Sequence, residues 1–176
     1  MRTRSKFAAA ALTTGLALAG LAGSGVPAHA APGDTVTTFI VATGSFGITV
    51  PGSAALGTVN IGTASVAGSL GAVTVADNRG LVAGTWNVGV LSSTFVSGAT
   101  VVPVTNVAYT SGTATTSSVG VFTPAVLFPV AAGLTTAVTW TGVGSSLVSW
   151  NPTLTIALPT NLVAGTYTGT FFHSVA

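Results

Sequence analysis

Few side chains beyond residue 30 can move a proton. They are Asp34, Asp77 and His173, with Tyr109 and Tyr167 at higher pKa. A Ser–His–Asp triad would have to join His173 and Asp77 to one of many serines, and no Gly-x-Ser-x-Gly elbow presents a nucleophile. Two Asp, one His and no Cys or Glu do not make a closed metal site, so neither a metal nor another cofactor is expected. Phosphate-binding loops need a lysine beside their glycines, and the chain's lysine is Lys6, at its very start. No catalytic residue is assigned, and the chain is not expected to be an enzyme.

Binding chemistry has more to work with. Asp77 and Arg79 stand two apart, with Asn78 between them. If the strand persists they share a face; if it turns, Asp77 accepts from the backbone two residues on. The pair is then either a local ion pair at a turn or a polar cluster facing a ligand. Trp86, Trp140 and Trp150 also allow two readings, because indole rings serve both as core filling and as flat platforms for sugars. Trp86 alternates within a strand and is expected in the core. Trp140 precedes Thr141-Gly142 and Trp150 precedes Asn151-Pro152, so both sit at strand ends and are expected to offer rings at the surface. Trp140, Trp150, Asp77 and Arg79 are thus the candidate ligand-binding residues. His173 reads as a core or strand-end residue with its ring hydrogen-bonded. Ala164-Gly165-Thr166-Tyr167 reads as a tyrosine corner, its hydroxyl tied back to the upstream loop.

The scaffold for these residues follows from composition and period. Of 176 residues 48% are hydrophobic and 3% charged, with 23 Gly, 8 Pro and no Cys. That is long enough to bury a core without disulfides. Alternation with period two dominates, β-branched residues are frequent, and Gly, Pro, Asn or Ser breaks recur every eight to fifteen residues. Expected strands are Val36–Thr43, Phe46–Val50, Leu56–Ile61, Val73–Asp77, Thr85–Leu91, Thr100–Tyr109, a region around Val119–Phe128, Ala137–Thr141, Thr153–Leu158 and Thr166–Val175. Such a series implies an all-β, antiparallel β-sandwich occupying residues 31–176 as one domain. No fixed period supports a repeat-built solenoid.

Alternation assigns faces as well. Trp86, Val88 and Val90 share one side of their strand, opposite Asn87 and Gly89. Leu154, Ile156 and Leu158 point inward. Tyr167, Gly169, Phe171, His173 and Val175 share one face of the last strand, and Thr168, Thr170, Phe172 and Ser174 the other. Thr110 to Ser118 is nearly all Thr, Ser, Gly and Ala and reads as a hairpin loop, with a linker or a glycosylated tip as the alternatives.

Residues 1–30 read as a secretory signal peptide. Arg2, Arg4 and Lys6 form its positive start, an apolar stretch runs from Phe7 to about Leu21, and Ala28-His29-Ala30 supplies the small-x-small site after Pro27. The apolar stretch falls short of the ~20 residues a membrane span needs. Cleavage after Ala30 removes 30 of 176 residues and leaves 146, beginning at Ala31. The formal charge of +2 goes with it, since Arg79 against Asp34 and Asp77 totals −1. One Arg is no basic patch, so a nucleic-acid partner is not expected. No second membrane segment appears, and Leu158-Pro159-Thr160-Asn161-Leu162 lacks the Thr-Gly pair of a sortase signal.

Val73-Thr-Val-Ala-Asp77-Asn78-Arg79-Gly80, followed by Gly84-Thr85-Trp86-Asn87-Val88, resembles the first half of a WxL-type cell-wall-binding domain. In that family a strand ending in an Asp–Arg/Gly turn precedes a Trp-x-Leu tripeptide. The segment from Pro159 to Val175 is similar to the family's C-terminal end, and the likeness covers roughly residues 55–176. It implies a secreted β-sandwich that associates non-covalently with the peptidoglycan of Gram-positive bacteria. The chain departs from the pattern at Val88, which stands for Leu, and at His173-Ser174-Val175, where the second Trp is missing. It is similar to a divergent, actinobacterial-type relative.

Two classes of function are therefore expected. The first is a secreted, non-enzymatic cell-surface protein that adheres to wall polymer. The second is a structural, self-associating surface protein: with so little charge, little repulsion keeps copies apart, and an uncovered edge strand can pair. A secreted hydrolase ranks behind both.

Overall fold

The computed structural model describes residues 39–41, 43–130 and 133–176. The signal peptide with its site after Ala30, Asp34 and half of the expected Val36–Thr43 strand lie outside the described residues, and Phe39–Val41 and Thr43, which are described, belong to no strand. The chain divides into two units, Met1–Val41 and Ala42–Ala176, and the sheets lie wholly within the second. Among the described residues no helix is long and apolar enough to cross a membrane.

The strands are β1 (Phe46–Thr49), β2 (Ser65–Ser69), β3 (Val73–Ser92), β4 (Phe95–Ser97), β5 (Thr100–Val102), β6 (Val107–Thr110), β7 (Ala114–Thr116), β8 (Gly120–Pro124), β9 (Val126–Leu127), β10 (Thr135–Trp150), β11 (Thr153–Ala157) and β12 (Phe171–Val175). All pairings are antiparallel. The protein is an all-β sandwich. Its spine is the β3–β10 ribbon. One half of β3 pairs with β1 and the other with β12, while β10 takes β7 on one half and β8 on the other. A second sheet has the order β2-β11-β6-β9, and β4–β5 form a short separate ribbon.

The spine bends back on itself. A straight strand would hold Val73 and Trp86 about 43 Å apart at roughly 3.3 Å per residue. Yet Trp150, paired with Val73, has its ring 6.5 Å from that of Trp86. The register slips between Gly142 and Ser146, and Gly80 and Gly144 sit at φ +65° and +70°, where only glycine is unstrained. Bulges of this kind let one strand serve two layers. The near halves of β3 and β10, with β7 beside them, continue the order β2-β11-β6 of the second sheet through short breaks. Across the break the Leu70 amide donates to the Pro152 carbonyl at 2.9 Å. One layer is therefore the second sheet plus the near half of the spine. The far half of the spine, flanked by β8 and β12, forms the other.

Several elements differ from the sequence expectation, each for a local reason. Val73–Asp77 and Thr85–Leu91 are two parts of β3, because β10 pairs with both across the exposed Asn78–Ala83 stretch. Ala137–Thr141 likewise extends to the 16-residue β10. Pro103, without an N–H, ends β5, and a 3₁₀ turn over Val104–Asn106 separates it from β6. Leu56–Ile61 is not a strand. Instead β2 lies at Ser65–Ser69, where Val66 and Gly68 meet Ile156 and Leu154. The Thr110–Ser118 stretch contains β7, and of Thr166–Val175 only β12 and an isolated Val96–Thr168 bridge are paired.

Candidate functional site

The three tryptophans lie together in the core. Trp86 and Trp140 are a cross-strand pair with ring centroids 6.0 Å apart, and Trp150 stacks on Trp86 from the opposite layer. Trp86 is wholly buried, as its alternation requires, and Val88 lies beside it at 0% exposure. Trp140 and Trp150 are each only 2% exposed, which corrects the expectation that they offer rings at the surface. The strand ends inferred from Thr141-Gly142 and Asn151-Pro152 are not chain exits. One is the middle of β10 and the other its junction with β11, so both rings stay on the inward face. Room for Trp140 comes from the Gly120–Gly142 pair: a Cβ on Gly142 would lie 2.7 Å from the indole nitrogen, and one on Gly120 would meet the ring itself.

Asp77 and Arg79 form a closed unit. Asp77 is buried and accepts from the Arg79 amide at 3.0 Å, from Nε at 2.8 Å and from Nη2 at 2.8 Å. The hydrogen bond from Arg79 holds the Asp77 carboxyl below its ordinary value. The guanidinium also lies 3.9 Å over the Phe46 ring, and Asn78 donates to the Ser45 hydroxyl at 3.1 Å. Both carboxylate oxygens are already taken, so the unit pins β1 to β3. Expected either as an ion pair or as a ligand-facing cluster, it has the geometry of the first.

His173 joins a chain that crosses the sandwich. Trp150 on β10 donates its indole N–H to Tyr109 Oη on β6 at 3.2 Å, and Tyr109 lies 3.3 Å from His173 Nε2 on β12. Tyr109 donates to Nε2 when the imidazole carries its proton on Nδ1 and accepts when it carries it on Nε2. Burial pushes the His173 pKa down to about 4, so its ring is neutral near neutral pH. Burial raises the Tyr109 pKa against the opposing hydrogen bonds from Trp150 and Ser111. Phe171 stacks on Tyr109 at 5.2 Å. Tyr109 and Trp150 are 0% and 2% exposed and join the layers, while half-buried His173 ends the chain at its edge.

Tyr167 forms the expected corner, its hydroxyl donating to the Val163 carbonyl at 3.0 Å. The last strand shows the expected alternation: Tyr167, Gly169, Phe171, His173 and Val175 are half-buried and their neighbours exposed. Among the described residues no group of three or more His, Cys, Asp or Glu is placed to hold a metal.

Two surfaces remain where a ligand can be met. Among the described residues, the outer face of the continuous layer carries two rows of hydroxyls and no charge. One row is Ser69–Thr153–Thr110, on β2, β11 and β6, and the other is Thr49–Thr74–Ser149–Thr115, on β1, β3, β10 and β7. Thr74 donates to the Ser149 hydroxyl at 3.0 Å. The alternation that buries Val73, Val75, Val148 and Trp150 turns these residues outward. The second surface is a cavity of about 670 Å³ where the inward face of the second sheet meets the β4–β5 ribbon. Val66, Phe95, Val102 and Ile156 floor it; the Ala54–Thr63 loop and the Leu158–Gly169 segment form its walls. Sequence reasoning missed both surfaces as sites. The hydroxyl rows were legible as alternation, but the cavity joins residues that are far apart in the chain.

No family model, curated protein or solved structure matches this chain.

Proposed function

We propose that the chain is a secreted, non-enzymatic surface protein that associates non-covalently with the bacterial cell wall through the hydroxyl face of its continuous layer. Two uncharged rows of Thr and Ser on paired strands are the observation that carries this reading. Four adjacent strands set the longer row over about 14 Å at ~4.8 Å per strand. Each hydroxyl brings one donor and two acceptor sites, which suit the hydroxyl and amide groups of peptidoglycan. The signal-like start, with cleavage after Ala30, and the WxL-type resemblance support the same assignment. Buried Trp140 and Trp150 take no part, and Arg79, the one arginine after Ala30, is tied to Asp77 and provides no attraction for anionic wall polymers.

The test is to mix the purified chain with isolated peptidoglycan, spin, and compare pellets at low and ~1 M salt, where the Debye length is about 3 Å. Equal retention at both salts is expected. A Thr115→Glu, Thr153→Glu double variant should stay in the supernatant, whereas Asn87→Glu, on the other layer, should pellet. No retention, or release by salt, would overturn the reading.

A second reading, self-association, is favoured by an exposed apolar patch at the bend of the spine. Val82, Val119 and Val143 are 89%, 76% and 53% exposed there, and Val143 donates its amide to the Val119 carbonyl. Sedimentation that rises with concentration would select it.

A further inference from the structure

The cavity between the second sheet and the β4–β5 ribbon is apolar where it is deepest. Its floor is the sandwich's own core face, and Leu158 and Leu162 extend that surface along one wall. A volume of about 670 Å³ falls within the roughly 300–1,000 Å³ of small-molecule sites. Among the described residues Tyr167 is the one titratable side chain of the lining, and its hydroxyl is already donated to Val163. An ion entering here would leave water without gaining a counter-charge. No tryptophan lines the cavity, so a sugar would find little ring surface to stack on.

A smaller cavity of about 340 Å³ abuts the first, with Ala54, Thr168 and Gly169 lining both. It adds Ser53, Thr170 and His173, which are neutral hydrogen-bonding groups. Pro51 to Asn60, on the shared rim, belongs to no strand, so its peptide groups are not committed to a ladder. Both compartments mix apolar and neutral hydrogen-bonding groups, the aliphatic floor belongs to the larger one, and among the described residues neither offers a charge.

We propose that this two-part trough is a binding site for a neutral amphipathic molecule. Its alkyl chain lies against Val66, Val102, Ile156 and Leu158, and its uncharged polar head lies toward Ser53, Thr170 and His173. The site is separate from the hydroxyl face, and loss of wall association would leave it standing.

The experiment uses the purified chain with N-phenyl-1-naphthylamine, a neutral dye that brightens in apolar surroundings. The dye should be taken up and then displaced by 1-octanol and 1-decanol. Decanol should compete about tenfold better or more, since each buried methylene contributes roughly three- to fourfold. Decanoate and decyltrimethylammonium should compete at least ~10-fold less well than decanol, because each must bury a charge. Val59 stands in the loop wall and is 42% exposed, so Val59→Asp adds a charge there without cutting into the core. That variant should melt like the parent and lose decanol binding. Amide NMR shifts on adding decanol should concentrate at Gly57, Gly62, Gly165 and Gly169. Absence of dye uptake would overturn the proposal, as would equal competition by the ions, parental binding by a folded Val59→Asp, or a dye signal that tracks self-association.

Discussion

The tryptophan layer and the trough beside it are built from opposite resources. In the layer, two long strands bring Trp86, Trp140 and Trp150 face to face, and buried aromatic and aliphatic groups surround them. Along the trough, the walls are a loop and a turn-rich segment with few ladder bonds, held by single contacts such as Tyr167 to Val163 and Val96 to Thr168. Rigidity therefore belongs to the spine and adaptability to the trough. Damage to the first should unfold the protein, while damage to the second should alter local behaviour.

Trp86→Ala should be the harshest test of the spine. Removing a wholly buried indole costs about 3–5 kcal/mol, a large share of a domain's ~5–15, and the urea midpoint should collapse accordingly. A loss below ~1 kcal/mol would remove the distinction between the two regions.

Acid should strike where the two regions meet, at His173. Its folded pKa of about 4 lies below the ordinary 6.5, so the unfolded chain binds more protons between those values. Stability should be full above pH 6.5 and fall as pH drops toward 4. The loss should be on the order of 2–3 kcal/mol, allowing for the part of the ring that still meets water. Asp77, with its lowered pKa, keeps its contribution until the pH falls below the ordinary carboxylate range. Denaturant melts at pH 7 and pH 4 check this, and His173→Gln should flatten the slope within that window.

Gly120→Ala probes how tightly the spine is packed. The new methyl would meet the Trp140 ring and lie 2.6 Å from the Thr141 carbonyl, so a cost of about 1–3 kcal/mol is expected. Gly57 stands in the trough wall with open space around it, but its φ of +103° penalises any side chain. Gly57→Ala should therefore cost about 1 kcal/mol through backbone strain alone. Thermal melts compare the two. Smallest of all should be Tyr167→Phe, which removes one half-exposed hydrogen bond worth about 0.5–1.5 kcal/mol. Its effect should appear as faster amide exchange around Val163 rather than as a shifted midpoint.

Most of the sheet content was legible because alternation is a local signal. Val88 and Val90 face inward, Thr85 and Asn87 outward, and the last strand keeps its two faces, as the residues dictate. The Tyr167 corner was legible for the same reason, since its donor and acceptor are four residues apart. Trp140 and Trp150 were not. A Gly or an Asn-Pro after a tryptophan reads as an end only until a partner strand runs past it. β3 passes Trp140, and Pro152 merely marks the break before β11.

Residue order by itself determined the period-two pattern, the scarcity of charge and the inward or outward side of strand residues such as Trp86, Val88 and Leu154. Those properties depend on neighbours one or two positions away, where sterics and side-chain chemistry act directly. Tertiary structure alone decided that β3 and β10 double back, that the three indoles meet, and that loop and core face enclose a trough. These depend on contacts between residues tens of positions apart, such as the 41 between Tyr109 and Trp150 and the 64 between Tyr109 and His173. Only the folded chain sets such distances, because each is the sum of every bend between its ends.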